Sequence, residues 1–292
     1  MTVEVSTVIV GCGDTGVRIA ARAVAAGETV LGIVRGEDSA ARLRSVGGRS
    51  RRIDLDGPVG DLPACRRLVY SAPPARAQAT DARMARVLEA MPGVPAHVVY
   101  ISTSGVYGDC GGDWVDEARP VAPDTDRAKR RVDAERRIMG WARHAVVLRA
   151  PGIYGPGRLT LDRVRAGEPV LADRAGGWTN RVHVDDLAGI AWHMATEPPP
   201  HAIYNACDGV PTRREAYYDT LAELLGVAAP PRIDWAEARQ RFSAMRLSFL
   251  AESRRLSNAR LLADTRYRLV FPDYRDGILA SLRGDPVLAP GY

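Results

Sequence analysis

Short apolar, β-branched runs alternate with longer amphipathic stretches along most of the chain, and that rhythm predicts strand–helix repeats. Residues 8–10, 29–34, 51–55, 67–71, 97–101 and 145–149 read as strands, with 202–205 as a last one. Helical spacing occupies 17–27, 39–46, 75–91, 124–143 and 212–225. A further helix runs from within 180–187 to about Thr196, with an aspartate expected at its cap. Strand and helix in regular alternation argue for an α/β fold, a doubly wound parallel sheet with helices on both faces. Residues 159–172 leave this rhythm, and the chain beyond Leu225 is mixed and rich in arginine.

The first strand ends in Gly11-Cys12-Gly13-Asp14-Thr15-Gly16, a G-x-G-x-x-G, and an alanine-rich helix follows. That order gives each glycine a task. Gly11 permits a tight turn, Gly13 lets backbone approach a pyrophosphate, and Gly16 lets helix and strand pack closely. Asp14 and Thr15 fall in the same loop, where the phosphates would meet the positive end of the helix dipole. A dinucleotide is therefore the expected cofactor.

Later strand ends add candidates. Arg35 closes the second strand, where an acidic residue would hold an adenosine ribose hydroxyl. An arginine there suits a 2′-phosphate, so NADP is favoured. NAD stays open, with Glu37 or Asp38 reaching the ribose instead. Asp54 and Leu55 would flank the adenine. Ser71, Ala72 and Pro73 end the fourth strand in a tight apolar turn that brings backbone close to a ligand. The fifth strand runs into Ser102-Thr103-Ser104-Gly105-Val106-Tyr107-Gly108, and the sixth into Ala150-Pro151-Gly152-Ile153-Tyr154.

Composition narrows the class. At 292 residues, with 46% hydrophobic and 26% charged, the chain suits a folded enzyme-sized protein. No apolar run approaches the roughly 18 residues that span a bilayer, and the N-terminus lacks the pattern of a signal peptide. A cytoplasmic protein is expected, with no membrane partner. The four cysteines are scattered without a C-x-x-C, which points to a reduced compartment and no metal site. Cys12 reads as a small space-filler. The net charge of +5 comes from arginines interspersed with acids, without a recognition motif for nucleic acid. Lys129 is the sole lysine of the chain.

With the glycine loop, S-T-S-G-V-Y-G, R-A-P-G-I-Y-G-P-G and V-H-V-D-D-L-A in this order, the chain resembles the extended and atypical short-chain dehydrogenase/reductases related to nucleoside-diphosphate-sugar epimerases. The resemblance covers roughly residues 3–274, including the late L-S-N-A-R-L-L and F-P-D-Y-R-D-G. It implies a Rossmann domain over 1–155 plus about 178–208. A smaller C-terminal α/β substrate lobe would comprise about 156–177 and 209–292. It also implies a homodimer as one assembly, and a Ser/Thr, Tyr, Lys catalytic set.

Thr103 falls on the Ser/Thr position, with Ser102 and Ser104 as near alternatives; Ser102 is also placed at the cofactor, as are Pro151 and Gly152. The Y-x-x-x-K does not carry over. Val132-Asp133-Ala134-Glu135 matches the family's K-x-x-A-E ending, which puts Arg131 on the lysine and Arg127 on the tyrosine. The other register puts Lys129 on the lysine and Thr125 on the tyrosine. Arg131 could hold ribose hydroxyls, but its charge does not relay a proton at ordinary pH. Tyr107 and Tyr154 are the candidates to replace the missing phenol. His183 with Asp185 or Asp186 reads as a helix cap and a packed histidine.

The leading expectation is an NADP-dependent oxidoreductase or epimerase-like enzyme that transfers a hydride at a carbonyl or secondary alcohol of a small polar substrate. An NADPH-binding sensor or partner-binding protein with little catalysis, and an isomerase or lyase without net redox change, are the alternatives.

Overall fold

The computed structural model describes residues 4–75, 80–172 and 177–283. Its centre is a seven-stranded sheet of β1 (Thr7–Val10), β2 (Val30–Val34), β3 (Arg49–Arg52), β4 (Arg67–Tyr70), β5 (His97–Thr103), β6 (Val146–Ala150) and β7 (Ile203–Asn205). The spatial order is β3-β2-β1-β4-β5-β6-β7. Every neighbouring pair is parallel. In register, Val8 lies beside Leu31 on one side and Leu68 on the other. Strands covered on both faces favour apolar side chains throughout, which is why Val8–Val10, VLGIV and Val146–Leu148 read as unbroken runs.

Helices α1 (Asp14–Ala25), α2 (Glu37–Ser45), α3 (Ala82–Ala90), α4 (Asp126–Trp141) and α5 (Val184–Thr196) flank the sheet. On one face Ile19, Ala20 and Ala23 of α1 pack with Leu187, Ile190, Ala191 and Met194 of α5. On the other, Met84, Val87 and Ile138 from α3 and α4 cover Leu68, Tyr70 and Val147. Each such Leu, Ile or Met removes enough apolar surface from water to stabilise the fold by about 1.5–3 kcal/mol. The fold is thus the doubly wound Rossmann arrangement that the strand–helix rhythm predicts.

Three boundaries differ from the sequence expectation. The third strand is Arg49–Arg52, so Asp54 and Leu55 lie beyond its end. It is an edge strand of arginine and serine, and its exposed positions hide the pattern. The helix expected over 75–91 begins at Ala82, where the Asp81 carboxylate accepts from the Arg83 and Met84 N–H groups; residues 76–79 of that expectation lie outside the described residues. The cap of α5 is His183 rather than an aspartate.

Beyond the sheet, α6 (Arg214–Leu225) and α7 (Tyr274–Leu282) build a separate apolar cluster from Tyr217, Leu221, Tyr274 and Ile278, joined by Tyr154 and Val164. Short strand pairs tie this part to the sheet: Gly152–Tyr154 with Arg181–His183, and Trp178–Thr179 with Thr212–Arg213. The tightest tie is Asp186. Its buried carboxylate accepts from the Val270 N–H at 2.8 Å, the Phe271 N–H at 2.9 Å and the Tyr267 hydroxyl at 3.0 Å. No helix among the described residues is long and apolar enough to cross a membrane.

Candidate active site

β1 ends at Val10 and the chain turns immediately. Gly11 adopts φ +79°, and a Cβ there would lie 2.4 Å from the Ala72 backbone nitrogen. Only glycine lets this turn sit against the end of β4. Ser71 fastens the two loops, its hydroxyl donating to the Gly11 carbonyl at 2.9 Å and the Val10 carbonyl at 3.2 Å. Gly16 is the packing glycine, since a Cβ would meet the Gly11 carbonyl at 3.2 Å and the Cys12 sulfur at 3.3 Å. Cys12 fills the space between Gly16 and Gly32, and burial pushes its thiol up to about 12, so it is an inert spacer.

Gly13 caps α1, and no side chain bonds to that helix end. A Cβ on Gly13 would meet nothing nearer than the Gly11 carbonyl at 3.9 Å, so its face is open. An uncapped helix N-terminus behind a glycine with open space is what a dinucleotide pyrophosphate requires, and the residues present fit that group. Asp14 stands at the rim, bonded to Arg158 at 2.8 Å and to Arg18 at 3.4 Å. Thr15 is buried in the first turn.

At the end of β2, Arg35 is exposed. Glu37 is occupied by Arg44 at 2.5 Å and Arg52 at 3.7 Å, and the Arg44 hydrogen bond and charge hold its carboxyl below the ordinary range. Asp54 is exposed and accepts from the Asp56 N–H, while Leu55 is buried beside it. Ala72 is buried and Pro73 exposed at the end of β4, where the Pro73 carbonyl accepts from Arg83.

The ends of β5 and β6 open into a cavity of about 480 Å³, lined by Thr103, Ser104, Pro151 and Gly152 among others. Thr103 caps the short turn Ser104–Tyr107 by accepting from the Gly105 N–H at 3.2 Å. The structure thus brings these four predicted residues together.

Four others are placed elsewhere. The Ser102 side chain leaves the strand on the opposite side from Thr103. It is buried and donates to Glu135 Oε1 at 2.6 Å, so its hydroxyl is not available to a cofactor. Tyr107 is 1% exposed, its hydroxyl donates to Asn205 Oδ1 at 2.9 Å, and the Arg149 guanidinium covers its ring. Tyr107 is therefore a packing residue, not a substitute acid. Lys129 points outward, 55% exposed, 3.8 Å from Asp126 and away from the cavity. Arg131 is turned under β5, donating to the Tyr100 hydroxyl at 3.0 Å and the Ile101 carbonyl at 3.1 Å. It braces the strand and does not line the cavity.

The structure also brings in residues that sequence reasoning did not select. Glu135, used only as a register marker, is a buried hub that accepts from Ser102 and, at 2.8 and 3.2 Å, from Arg149. Arg127, one turn before Arg131 on α4, lines the cavity, as do Arg181 and Arg214. Only Arg127 had a local signal, its place on the tyrosine of Y-x-x-x-K. Tyr154 lines the cavity with a buried hydroxyl that has no hydrogen-bond partner. Burial drives that phenol far above its ordinary value. His183 accepts from the Asp185 N–H through Nδ1 and meets Ser281 through Nε2. Burial, with Arg18 nearby, lowers it to about 4, so it is a neutral cap. Asp185 is bound to Arg18 at 2.5 Å, and no triad forms.

Strand order, glycine cradle and cavity together define a Rossmann protein of the NAD(P)-binding kind. The model of the NAD dependent epimerase/dehydratase family matches residues 69–207. Protein YeeZ of Escherichia coli K12 is 29% identical over 235 residues, covering 76% of this chain and 84% of its own. A functionally unknown conserved protein from Silicibacter pomeroyi shares 29% identity and a TM-score of 0.81, over 96% of this chain and 98% of that one. A putative NAD-dependent epimerase/dehydratase from Methylobacillus flagellatus shares 28% identity and a TM-score of 0.73, over 97% and 99%. The chain is thus similar in sequence and in fold to NAD dependent epimerase/dehydratase proteins.

Proposed function

We propose that the protein is an NADP-dependent oxidoreductase or epimerase-like enzyme that transfers a hydride at a carbonyl or secondary alcohol of a small substrate. One observation carries this reading: the Thr103 and Ser104 hydroxyl groups line a cavity at the end of β5, two strands from the glycine cradle on β1. A bound nicotinamide dinucleotide supplies the hydride donor or acceptor. The open backbone at Gly13 would hold its pyrophosphate, with Gly11 making the turn and Gly16 packing the helix, and Arg35 would meet a 2′-phosphate while Glu37 stays paired with Arg44. Thr103 orients the substrate oxygen. The cation of Arg127 stabilises negative charge on that oxygen, in place of proton donation by a phenol. The Tyr154 hydroxyl is sealed against Gly277 and is not presented to that oxygen.

The second reading, a dinucleotide-binding sensor with little catalysis, draws on the fate of the other candidates. Tyr107, Lys129 and Arg131 are all committed to packing or to solvent. Loss of a positioned acid/base typically lowers a rate by about 10²- to 10⁴-fold. Calorimetric titration with NADPH and NADH, followed by single-turnover oxidation of bound NADPH against a carbonyl panel, separates the two. Binding with hydride loss supports the enzyme; binding without any loss supports the sensor. No binding of either nucleotide refutes both. The Arg35→Ala variant is expected to weaken NADPH and leave NADH unchanged.

A further inference from the structure

Arg158 lines the cavity beside Thr103 and also reaches the glycine cradle. Its Nε donates to Asp14 Oδ2 at 2.8 Å, across 144 positions of sequence. Asp14 opens α1 directly behind Gly13, so the guanidinium stands one side chain away from the uncapped helix end. A tight turn fixes it there. The Arg158 N–H donates to the Gly155 carbonyl at 3.0 Å, and a Cβ on Gly155 would lie 2.6 Å from Val184 at the start of α5. Neither terminal nitrogen of Arg158 makes a hydrogen bond among the described residues.

Asp14 explains why an arginine is placed here. A carboxylate in the first turn of a helix ordinarily sits against the dipole and the free N–H groups. In this chain no side chain bonds to that end; Asp14 Oδ1 accepts from Arg18 at 3.4 Å, and Oδ2 from Arg158. The helix N–H groups are thereby left for another acceptor.

Arg18 is already matched to the buried Asp185 at 2.5 Å, so Arg158 carries the neutralisation of Asp14. Without it a net negative charge would stand beside the place where a pyrophosphate must lie. The two side chains of the Arg158–Asp14 pair are 33% and 28% exposed, and a pair that wet contributes little to stability.

Resting on the dinucleotide reading above, we propose that Arg158 binds the cofactor's pyrophosphate from the cavity side, opposite the Gly13 backbone and the start of α1. Nε stays on Asp14, which is the positioning residue, and the terminal N–H groups present the planar edge that suits phosphate oxygens. The pyrophosphate is common to NAD and NADP, so Arg158 does not choose between them; that choice falls to Arg35. One side chain then serves both spaces, because a bound dinucleotide fixes an arginine that borders the substrate cavity.

The test titrates the full chain by calorimetry, in phosphate-free buffer, with NADPH, NADH and ADP-ribose, which carries the pyrophosphate without nicotinamide. Arg158→Gln should weaken all three by about 10- to 100-fold, and Arg158→Lys should restore part of the loss. Its melting temperature should stay within about 4 °C of wild type, because the pair is wet. Should Arg158→Gln melt lower than that, Arg158→Lys keeps the ion pair and should still bind all three more weakly than wild type, having lost the planar edge. In the Asp14→Asn background the Arg158→Gln step should still cost about fivefold or more, since the arginine then has the ligand as its partner.

Unchanged affinity of Arg158→Gln for all three ligands overturns the inference and leaves the dinucleotide reading intact. A loss that vanishes in the Asp14→Asn background overturns it too, because the arginine then only neutralises Asp14. So does a loss seen with NADPH and NADH but absent with ADP-ribose, which moves the arginine to the nicotinamide. Failure of wild type to bind any of the three overturns the inference together with the proposed function.

Discussion

Replacing Glu135 with alanine is expected to destabilise the protein by about 3–5 kcal/mol, the range for breaking a buried ion pair by removing one partner. Both side chains of the Glu135–Arg149 pair are almost fully buried, at 3% and 5% exposure. Arg149 spends two N–H groups on the carboxylate, at 2.8 and 3.2 Å, and Ser102 adds a third bond at 2.6 Å. An exposed pair of this kind contributes about 0–1 kcal/mol, because water solvates whichever partner remains. Here the orphaned guanidinium stays between α4 and the sheet, against the Tyr107 ring. The expected loss is a large share of the roughly 5–15 kcal/mol that holds a typical domain folded. Urea unfolding at constant m-value measures it. The companion double variant, Glu135→Leu with Arg149→Met, removes both charges and should recover most of the loss. The resulting coupling is about 2 kcal/mol or more. A Glu135→Ala cost below about 1 kcal/mol, or an additive cycle, would refute the account of Glu135 as the hub beneath the Thr103 loop.

Other perturbations separate roles that look alike. Gly11→Ala forces a Cβ to 2.4 Å from the Ala72 nitrogen at φ +79° and should cost about 3 kcal/mol or more in thermal melts. Gly13→Ala meets no atom closer than 3.9 Å, so it should keep the fold while losing NADPH in a binding titration. Asp208, raised to about 7 by burial, is protonated in the folded chain where the unfolded chain has already ionised, so its burial costs stability as pH rises from about 4 to 7. The stability of Asp208→Asn minus that of wild type should therefore grow by about 4 kcal/mol across that window in urea titrations at each pH. Lys129→Ala should leave stability within about 0.5 kcal/mol and turnover unchanged, since the side chain is solvated; a hundredfold fall in turnover would return the lysine to the reaction.

Central strands were legible because each lies between two packed layers, so Val8–Val10 and Val30–Val34 need apolar side chains throughout. β3 was misplaced for the opposite reason: its arginines lie at the open edge, where nothing selects hydrophobic residues. The cradle could be read from local spacing, because Gly11, Gly13 and Gly16 answer to one turn and one helix. Thr103 was readable as the end of a strand. Tyr107 was not, because its fate depends on Asn205, 98 residues later. The same holds for Arg181 and Arg214. Single arginines in an arginine-rich chain carry no signal until α6 and the strand Arg181–His183 bring them to one cavity. Within the α4 helix the register marker Glu135 put Arg131 on the lysine position and Arg127 on the tyrosine position, one turn apart. It did not reveal that one turns under the sheet and the other faces the substrate space.

The Asp186 clasp fixes an order of assembly. A ribosome delivers the glycine cradle before α5, and α5 before Val270 and Phe271, which satisfy the Asp186 carboxylate and follow it by more than eighty residues. Until then a buried acid lacks its donors. Tyr274, Gly277 and Ile278, which pack around Tyr154 and Tyr217, are likewise missing. A nascent chain thus carries its glycine cradle well before the apolar cluster around Tyr154 and Tyr217 is complete. Premature termination shortly before Val270 would leave all seven strands of the sheet, with the Asp186 carboxylate short of its two backbone donors.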